Sequence, residues 1–455
     1  MKSQSPDLQA RMRHPSRTGT APRTLFPFPR IGNVLKTLCD PPMNSSPSPA
    51  MRTAWLMVLL LFPVALLNYL DRQMIAAMKV SVMADIPSIG SEANWGLMLG
   101  KFKFVYALFS PIGGYIADRF SRRLTICGSL FVWSCITWWT GQVDSYTELL
   151  WARTLMGISE AFYIPAALAL ISDFHLGETR SRAVGVHQMG IYCGVMIGGF
   201  AGYVADEPTL GWRTAFDWTG LVGILYAIPL LFLLKNPPRQ MSGTVVEKPG
   251  VGQAARELFT NRSFLLLVAY FTLPAVAAWV VRDWMPAILQ KEFNISQGKA
   301  GVSASLYWQA AALVAAIFGG WLADRWMKRS DRGRIYVSAI GMALIIPALF
   351  SVGNAPAANS FGLAIAGLVL FGIGWGFFDG NNMPILCQIT RPELRATGYG
   401  VMNFVSMTFG GIADWVFGVL TDRKVPLNVI FGTFAGVALI SVVLVLMIRP
   451  RKVEG

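Results

Sequence analysis

Several charged side chains lie inside long apolar segments of this sequence, and six of them form the strongest set of candidates. They are Asp71, Arg72, Glu160, Arg282, Asp283 and Asp379. A charge at the centre of a membrane helix costs about 2.5–3.5 kcal/mol on insertion scales, so such residues usually face a polar cavity and mark a functional site. Two further cations, Lys101 and Lys103, are two positions apart and cannot share one helix face. We expect one of them to point outward and the other to reach the interior, and the sequence does not decide which.

Arg72 has the chemistry to hold an organic anion. A guanidinium group stays charged in any plausible environment, and its planar fork forms two parallel hydrogen bonds with a carboxylate. The alternative is a structural ion pair with Asp71 or Glu160. Arg282 has the same chemistry and would complete a clamp, unless Asp283 simply neutralises it.

Glu160 is the first candidate for carrying a proton. Burial favours the neutral form of a carboxyl group, and a nearby arginine favours the charged form. A substrate anion that competes for Arg72 would therefore promote protonation of Glu160. The alternative is a permanent ion pair that holds two helices together.

The segments that contain these residues predict an all-α membrane protein. The chain of 455 residues is 54% hydrophobic and 14% charged, against about 25% charged residues in soluble domains. About 20 apolar residues cross a bilayer as a helix. Twelve segments are long enough, at residues 54–77, 94–117, 124–143, 148–172, 183–205, 214–234, 264–289, 299–323, 334–353, 360–388, 395–420 and 427–448.

An internal repeat divides these twelve helices into two pseudo-symmetric six-helix bundles. The stretch GGYIADRFSRR at residues 113–123 recurs as GGWLADRWMKR at residues 319–329. The pattern G-x-x-E-x-x-x-x-P at residues 157–165 recurs with Asp in place of Glu at residues 376–384, which matches Glu160 with Asp379. Repeated halves of this kind place a solute site between them near the bilayer midplane.

The charge distribution predicts the domain organisation and the orientation. We divide the chain into a disordered basic tail (1–50), a first bundle (51–234), a linker (235–262), a second bundle (263–449) and a short tail (450–455). Lys and Arg concentrate in the loops on the side of both termini, which predicts that both termini are cytoplasmic. A transit peptide within residues 1–50, or a native start at Met51, are alternatives for the tail.

The repeated loop resembles the most specific signature of the major facilitator superfamily, and the resemblance covers about residues 52–450. Within it, NYLDR at residues 68–72 and GISEA at residues 157–161 resemble the anion:cation symporter family. That family takes up hexuronates, other sugar acids and related carboxylates, mostly with protons. The G-x-x-E-A stretch is also similar to the spinster-like lipid transporters.

The resemblance implies proton-coupled uptake of an organic anion by alternating access. In that interpretation Arg72 binds the anion, while Asp71 and Asp379 act with Glu160 in proton coupling. Arg282 departs from the family pattern, because apolar residues usually occupy that part of span seven.

Neutral polar side chains within the spans are suited to the hydroxyl groups of a sugar acid. Each such residue alone more often joins two helices than binds a ligand. Our candidates for substrate contact are Gln188, Tyr192, Gln309, Asn381 and Asn403.

The charged residues of the repeated loop are expected to set the balance between inward-facing and outward-facing states. The aspartates would cap a helix or pair across the loop, and the basic residues would face anionic lipid and the opposite bundle. These residues are Asp118, Arg119, Arg122, Asp324 and Arg325.

The sequence predicts a monomeric transporter in the bacterial inner membrane, with an organic anion, protons and membrane lipid as partners and no nucleic acid. It contains no phosphate-binding loop, no nucleophile–base arrangement and no metal-ligand spacing, so we expect no enzyme activity, no cofactor and no metal. The alternatives are a neutral-sugar carrier, which would not need Arg72, a spinster-like lysolipid transporter, and a sensor that binds solute without moving it.

Overall fold

A computed structural model describes residues 49–175, 179–236, 251–391 and 394–450, and for residues 49, 50, 117–119, 181 and 251 it describes the backbone alone. The first half contains α1 (Pro49–Ala77), α2 (Lys79–Asp85), α3 (Glu92–Arg119), α4 (Arg122–Thr140), α5 (Tyr146–Glu160), α6 (Tyr163–Phe174), α7 (Arg180–Gly198), α8 (Ala201–Asp206) and α9 (Gly211–Leu233). The second half follows with α10 (Val251–Thr260), α11 (Arg262–Phe293), α12 (Gln297–Met327), α13 (Gly333–Asn354), α14 (Phe361–Ile389), α15 (Arg395–Asp422) and α16 (Leu427–Met447).

These helices make twelve membrane-length spans, since α5 with α6 and α7 with α8 form one span each. Ten of the spans within the described residues are long and apolar enough to cross a membrane by composition alone. The other two are α3, which contains Lys101 and Lys103, and α4, which begins with two arginines and is rich in Ser, Thr and Trp. The predicted twelve-helix membrane fold is confirmed.

Side-chain caps fix where six of the spans begin. In each case a Ser or Asn side chain accepts the backbone N–H three residues further along, which satisfies one of the amides left free in the first turn of a helix. The caps are Ser91 for α3, Ser121 for α4, Ser145 for α5, Asn261 for α11, Ser296 for α12 and Ser360 for α14.

The two halves pack most closely at one end of the bundle. We call the end formed by Lys79, Glu92, Asp206, Gln297 and Asp422 the sealed end, and the opposite end, at the repeated loops, the signature end. At the sealed end α3 packs against α15, and α8 packs against α12. A Cβ atom added to the glycine at position 96 would lie 2.2 Å from a carbonyl oxygen of α15, and one at position 202 would lie 2.5 Å from a carbonyl oxygen of α12. Glycine therefore lets the backbones of the two halves meet.

Two matching helix caps close the sealed end. Asp206, at the end of α8, accepts hydrogen bonds from the first two backbone N–H groups of α12, at 3.2 and 2.7 Å. Asp422, at the end of α15, accepts the first two N–H groups of α3 at 3.0 and 2.8 Å. A carboxylate at a helix N-terminus also interacts favourably with the helix dipole. The internal sequence repeat therefore corresponds to two equivalent contacts between the halves.

Toward the signature end α3 and α15 part. Their contact reaches Met407, which shares an apolar cluster with Phe102 and Tyr106 of α3. Pro111 and Gly400, further toward the signature end on the same two helices, are exposed. The structure is therefore closed at the sealed end and open toward the signature end.

The predicted linker contains a helix. α10 lies within residues 235–262, and Glu257 on this helix forms an ion pair with Arg391 of the second half. The predicted disordered tail falls almost wholly on residues 1–48, outside the described residues, and the division into domains stays a prediction.

Candidate functional site

Three guanidinium groups and two aromatic rings form a continuous series of contacts between the two halves. Arg153 lies 5.3 Å from the centre of the Phe102 ring, and Arg72 lies 4.9 Å from the same ring. Arg72 also lies 4.8 Å from the Tyr69 ring, and Arg282 of the second half lies 5.0 Å from that ring. Cations near an aromatic ring within about 6 Å are attracted to its face. We call these five side chains the arginine ladder.

Arg72 is anchored by Glu160. Its Nε donates to Glu160 Oε2 at 2.7 Å, and its Nη2 lies 2.7 Å from the same oxygen. Arg72 is 6% exposed and Glu160 is fully buried. Charge-assisted hydrogen bonds of this kind are about twice as strong as neutral ones. In this conformation Arg72 therefore forms the ion pair with Glu160, which the sequence analysis gave as the alternative to binding a ligand.

The other two arginines of the ladder have donors to spare. Arg282 Nε and Nη2, and Arg153 Nε, are buried with no hydrogen-bond partner in the described part of the chain. Arg282 Nε lies 3.9 Å from Asp283 Oδ1, beyond hydrogen-bond distance. Arg153 Nη1 contacts only the Met156 sulfur, at 3.1 Å, among its described hydrogen bonds. A buried donor without a partner costs about 1–3 kcal/mol, so a ligand oxygen that reached these groups would be stabilised.

Asp71 has a different hydrogen-bond partner from Arg72, although the two residues are adjacent in sequence. Its Oδ2 accepts a hydrogen bond from Thr137 of α4 at 2.6 Å. Its Oδ1 is buried and finds no hydrogen-bond partner among the residues described. Asp71 is thus a buried carboxyl group with one oxygen open to a proton.

A second group of charges lies where α3, α11 and α15 meet. Lys103 forms ion pairs with both Asp283 and Asp414, and all three side chains are buried. Lys101 is exposed. The structure therefore decides the question that the sequence left open, and Lys103 is the lysine that reaches the interior.

Positive and negative charges are equal in number at this site. We call Asp71, Arg72, Arg153 and Glu160 the first-half cluster, and Lys103, Arg282, Asp283 and Asp414 the bridging cluster. Each residue is at most 8% exposed, and each cluster contains two cations and two carboxyl groups. If all eight groups are ionised, an entering anion adds a charge that nothing balances, and an uncompensated charge in a buried site is strongly unfavourable.

The space between the two clusters is nearly closed. A cavity of about 10 Å³ is lined by Arg72, Phe102, Lys103, Arg153 and Arg282 together with three neighbours. That volume holds about one water molecule. A substrate must therefore move the aromatic rings of the ladder to enter.

A larger cavity, of about 410 Å³, lies at the sealed end, away from the arginine ladder. It is lined in part by Lys79, which forms an ion pair with Glu92 and lies 4.8 Å from the Trp284 ring. Burial lowers the pKa of Lys79, and the Glu92 carboxylate opposes that shift. Trp284 packs on Phe417, with ring centres 4.8 Å apart, and both rings line this cavity.

The predicted hydroxyl-binding residues are dispersed. The Tyr192 hydroxyl donates to Asp379 at 3.3 Å, which joins α7 to α14 across the two halves. Gln309 is buried and its Oε1 has no described hydrogen-bond partner. Asn381 donates to the carbonyl of Phe377 in its own helix at 2.9 Å. Gln188 and Asn403 are half-buried.

The predicted gating residues pair within their own halves. Arg122 donates to the carbonyl of Ala169 at 3.0 Å and forms an ion pair with Asp173. Asp324 pairs across its loop with Arg334 at 3.0 Å, and Arg325 is exposed. The side chains of Asp118 and Arg119 lie outside the described residues.

Two members of the site were absent from our sequence-based set. Arg153 lies seven residues before Glu160, so two helical turns bring both side chains to one face. Asp414 lies within α15, where a buried carboxyl group has the same energetic cost as the charged residues that we selected from the sequence. A count of every charge within the spans would have found both.

Known proteins are similar in sequence to this chain. Residues 61–413 match the family model of the Major Facilitator Superfamily. "Protein spinster homolog 1" of Xenopus tropicalis is 25% identical over 80% of this chain and 72% of its own length. An "MFS-type efflux pump" of Mycolicibacterium smegmatis is 28% identical over 82% and 85%. A "Probable L-galactonate transporter" of Escherichia coli is 25% identical over 80% and 82%.

A solved structure has the same fold. The crystal structure of a bacterial homologue of the human lysosomal transporter Spinster, inward-facing and unoccupied, superposes with a TM-score of 0.71 over 89% of this chain and 96% of its own, at 22% identity. The family match covers well over half of the present sequence. The chain therefore belongs to the major facilitator superfamily, whose members are integral membrane transporters of small molecules and not enzymes.

Proposed function

We propose that this transporter takes up an organic anion together with protons by alternating access, and that the anion is a sugar acid such as a hexuronate or a related carboxylate. The main support is the arginine ladder, in which guanidinium groups from both halves meet around a buried point. The relative named as a probable L-galactonate transporter is consistent with a sugar acid as the substrate.

Arg72 and Arg282 bind the carboxylate in this proposal. Arg72 lies on α1 of the first half and Arg282 on α11 of the second half, and both lie about 5 Å from the Tyr69 ring. A carboxylate held by both would draw the two halves together. Since Arg282 has buried donors without partners among the described residues, it can accept the ligand without breaking a strong existing bond. Gln188, Tyr192, Gln309, Asn381 and Asn403 are the proposed contacts for hydroxyl groups.

Charge balance supports coupling to protons. The eight buried charges sum to zero when ionised, so one anion and one proton can enter together without leaving a net buried charge. A substrate that displaces Glu160 from Arg72 leaves that carboxylate without its cation, and Glu160 then binds the proton. Asp71 and Asp379 are the proposed further proton carriers.

The proposed orientation places the signature end in the cytoplasm. The loops at that end contain most of the short-loop Lys and Arg residues, as cytoplasmic loops do. The conformation described above is then open to the cytoplasm and sealed on the outside. We place the protein in the bacterial plasma membrane as a monomer.

Uptake into proteoliposomes tests this function. The full chain is reconstituted, and uptake of labelled D-glucuronate, D-galactonate, D-gluconate, D-glucose and D-xylose is measured with and without an inward proton gradient. We expect uptake of at least one acid, stimulated by the gradient, and none of the neutral sugars. Neutral-sugar uptake, or no uptake of any acid, would overturn the proposal.

A lysolipid transporter is the second candidate, because a spinster homologue and a solved bacterial homologue of Spinster are among the similar proteins. The phosphate of a lysophospholipid could bind the same arginines. Labelled lysophosphatidylglycerol is therefore added to the panel. Its transfer between leaflets, in a protein that moves no sugar acid, would favour this candidate.

A further inference from the structure

The ion pairs of Lys103 join the two halves beneath the sealed end. Lys103 on α3 of the first half pairs with both Asp283 on α11 and Asp414 on α15 of the second half. Each of the three side chains is more than nine-tenths buried. The Lys103 ammonium also lies 4.3 Å from the ring of Trp279. Because the carboxyl groups belong to one half and the ammonium to the other, these pairs must break whenever the halves separate here.

The charges balance only with the help of Arg282. Lys103 offers one positive charge to two carboxyl groups, and Asp414 Oδ1 is fully buried with no hydrogen-bond partner among the described residues. Arg282 Nε, 3.9 Å from Asp283 Oδ1, supplies the second positive charge. Two carboxylates that share too little positive charge favour binding one proton between them.

Among the described residues, the other charged groups that line the small cavity beside this pair belong to the first half. Arg72 of α1 and Arg153 of α5 line the same small cavity as Lys103 and Asp283. Arg72 is already paired with Glu160, and Asp71, behind it, is bonded to Thr137. The neighbouring helix α16, which packs on α11, contains no charged residue.

We propose that Asp283 and Asp414 together form a proton-binding site that controls the sealed end through Lys103. While both are ionised, Lys103 holds α3 to α11 and α15, and the sealed end stays shut. A proton that binds one carboxylate forms an O–H bond there and removes one of the two negative charges that hold the ammonium. The contact between the halves weakens, and the sealed end opens.

The same site links the proton to the substrate, and this link rests on the proposed function. A substrate carboxylate bound to Arg282 draws that positive charge away from Asp283. Two carboxylates then share the single ammonium of Lys103. One proton from solution restores the balance, so one negative and one positive charge enter the site together.

Distance measurements across the sealed end test the site without any substrate. Thr209 and Ala358 are exposed at the sealed end, one in each half. Spin labels are attached to Thr209→Cys and Ala358→Cys in a full-length protein without its five native cysteines, reconstituted in lipid nanodiscs. From mildly alkaline to acidic pH, we expect a second, longer distance to appear and to become the main population. A distance distribution that does not respond to pH would overturn the proposal.

Three variants separate this site from a merely structural contact. Asp283→Asn with Asp414→Asn removes both carboxylates that could bind the proton and hold the ammonium, and Lys103→Gln removes the ammonium itself. Both proteins should therefore show the longer distance at every pH. Asp422→Ala is the matched control, because it removes a helix cap at the same end and leaves the pair intact. It should favour the longer distance and keep the pH response. A wild-type pH response in the double variant or in Lys103→Gln would contradict the proposal. Absence of sugar-acid uptake in liposomes would instead overturn the proposed function and leave this result standing.

Discussion

The two charge clusters each contain two cations and two carboxyl groups, and they differ in position relative to the halves. The first-half cluster is contained in α1 and α5 of one half, where Arg72 and Glu160 are bonded at 2.7 Å. The bridging cluster is shared, since Lys103 of the first half pairs with Asp283 and Asp414 of the second. A rocking motion can move the first-half cluster as a unit, whereas it must break the bridging cluster. The first arrangement suits binding, and the second suits control of the conformation.

The largest expected effect comes from Arg72 in the first-half cluster. Arg72→Lys keeps the charge and loses the planar fork. Since a hydrogen bond to a charged group contributes about 1.5–3 kcal/mol, we expect sugar-acid uptake to fall about 10- to 100-fold. Uptake assays in proteoliposomes check this, with the exposed residue Lys101 changed to Gln as the control. Unchanged substrate affinity in Arg72→Lys would remove the binding role from this cluster.

Glu160 tests whether the first-half cluster also couples the proton. Glu160→Gln imitates the protonated carboxyl group and leaves Arg72 free for the anion. We expect exchange of substrate across the membrane to continue and the proton gradient to lose its stimulation of net uptake. The comparison of exchange with gradient-driven uptake in one preparation checks this. If gradient-driven uptake persists in Glu160→Gln, Glu160 is not the residue that couples the proton.

A smaller effect is expected where α3 meets α15 around the bridging cluster. In Gly96→Val the added Cβ would lie 2.2 Å from the Asp414 carbonyl oxygen, so the sealed end cannot close fully. Overpacking of this kind costs about 1–3 kcal/mol. The population of the closed state should therefore fall about 5- to 100-fold, and we expect uptake to fall by the same factor. Spin-label distances and uptake are measured together. Gly436→Val is the control, because nothing lies within 4 Å of its added Cβ.

The smallest effect is expected at the signature end. Asp324 is 70% exposed and pairs with Arg334 inside one half. Exposed ion pairs contribute about 0–1 kcal/mol, so Asp324→Asn should change uptake less than about 5-fold. A loss of uptake as large as that of Arg72→Lys would show that the exposed pair controls the transport cycle as strongly as the buried clusters.

The sequence by itself determined the architecture and selected most of the charged residues of the site. Apolar segments of membrane length and a repeated loop are visible along the chain, because the bilayer constrains each span separately. The cost of a buried charge is equally local, which is why the positions of Arg72, Glu160 and Arg282 within apolar segments were enough to select them. The same argument could have selected Arg153 and Asp414.

Only the tertiary structure decided which charges meet. It paired Arg72 with Glu160, 88 residues away, and left its neighbour Asp71 bonded to Thr137. It turned Lys103 inward and Lys101 outward, and it brought Asp414 to a lysine 311 residues away. It also closed one end of the bundle. These outcomes depend on how each helix is rotated and against which neighbour it packs, and the contacts that fix this rotation come from residues far apart in the chain.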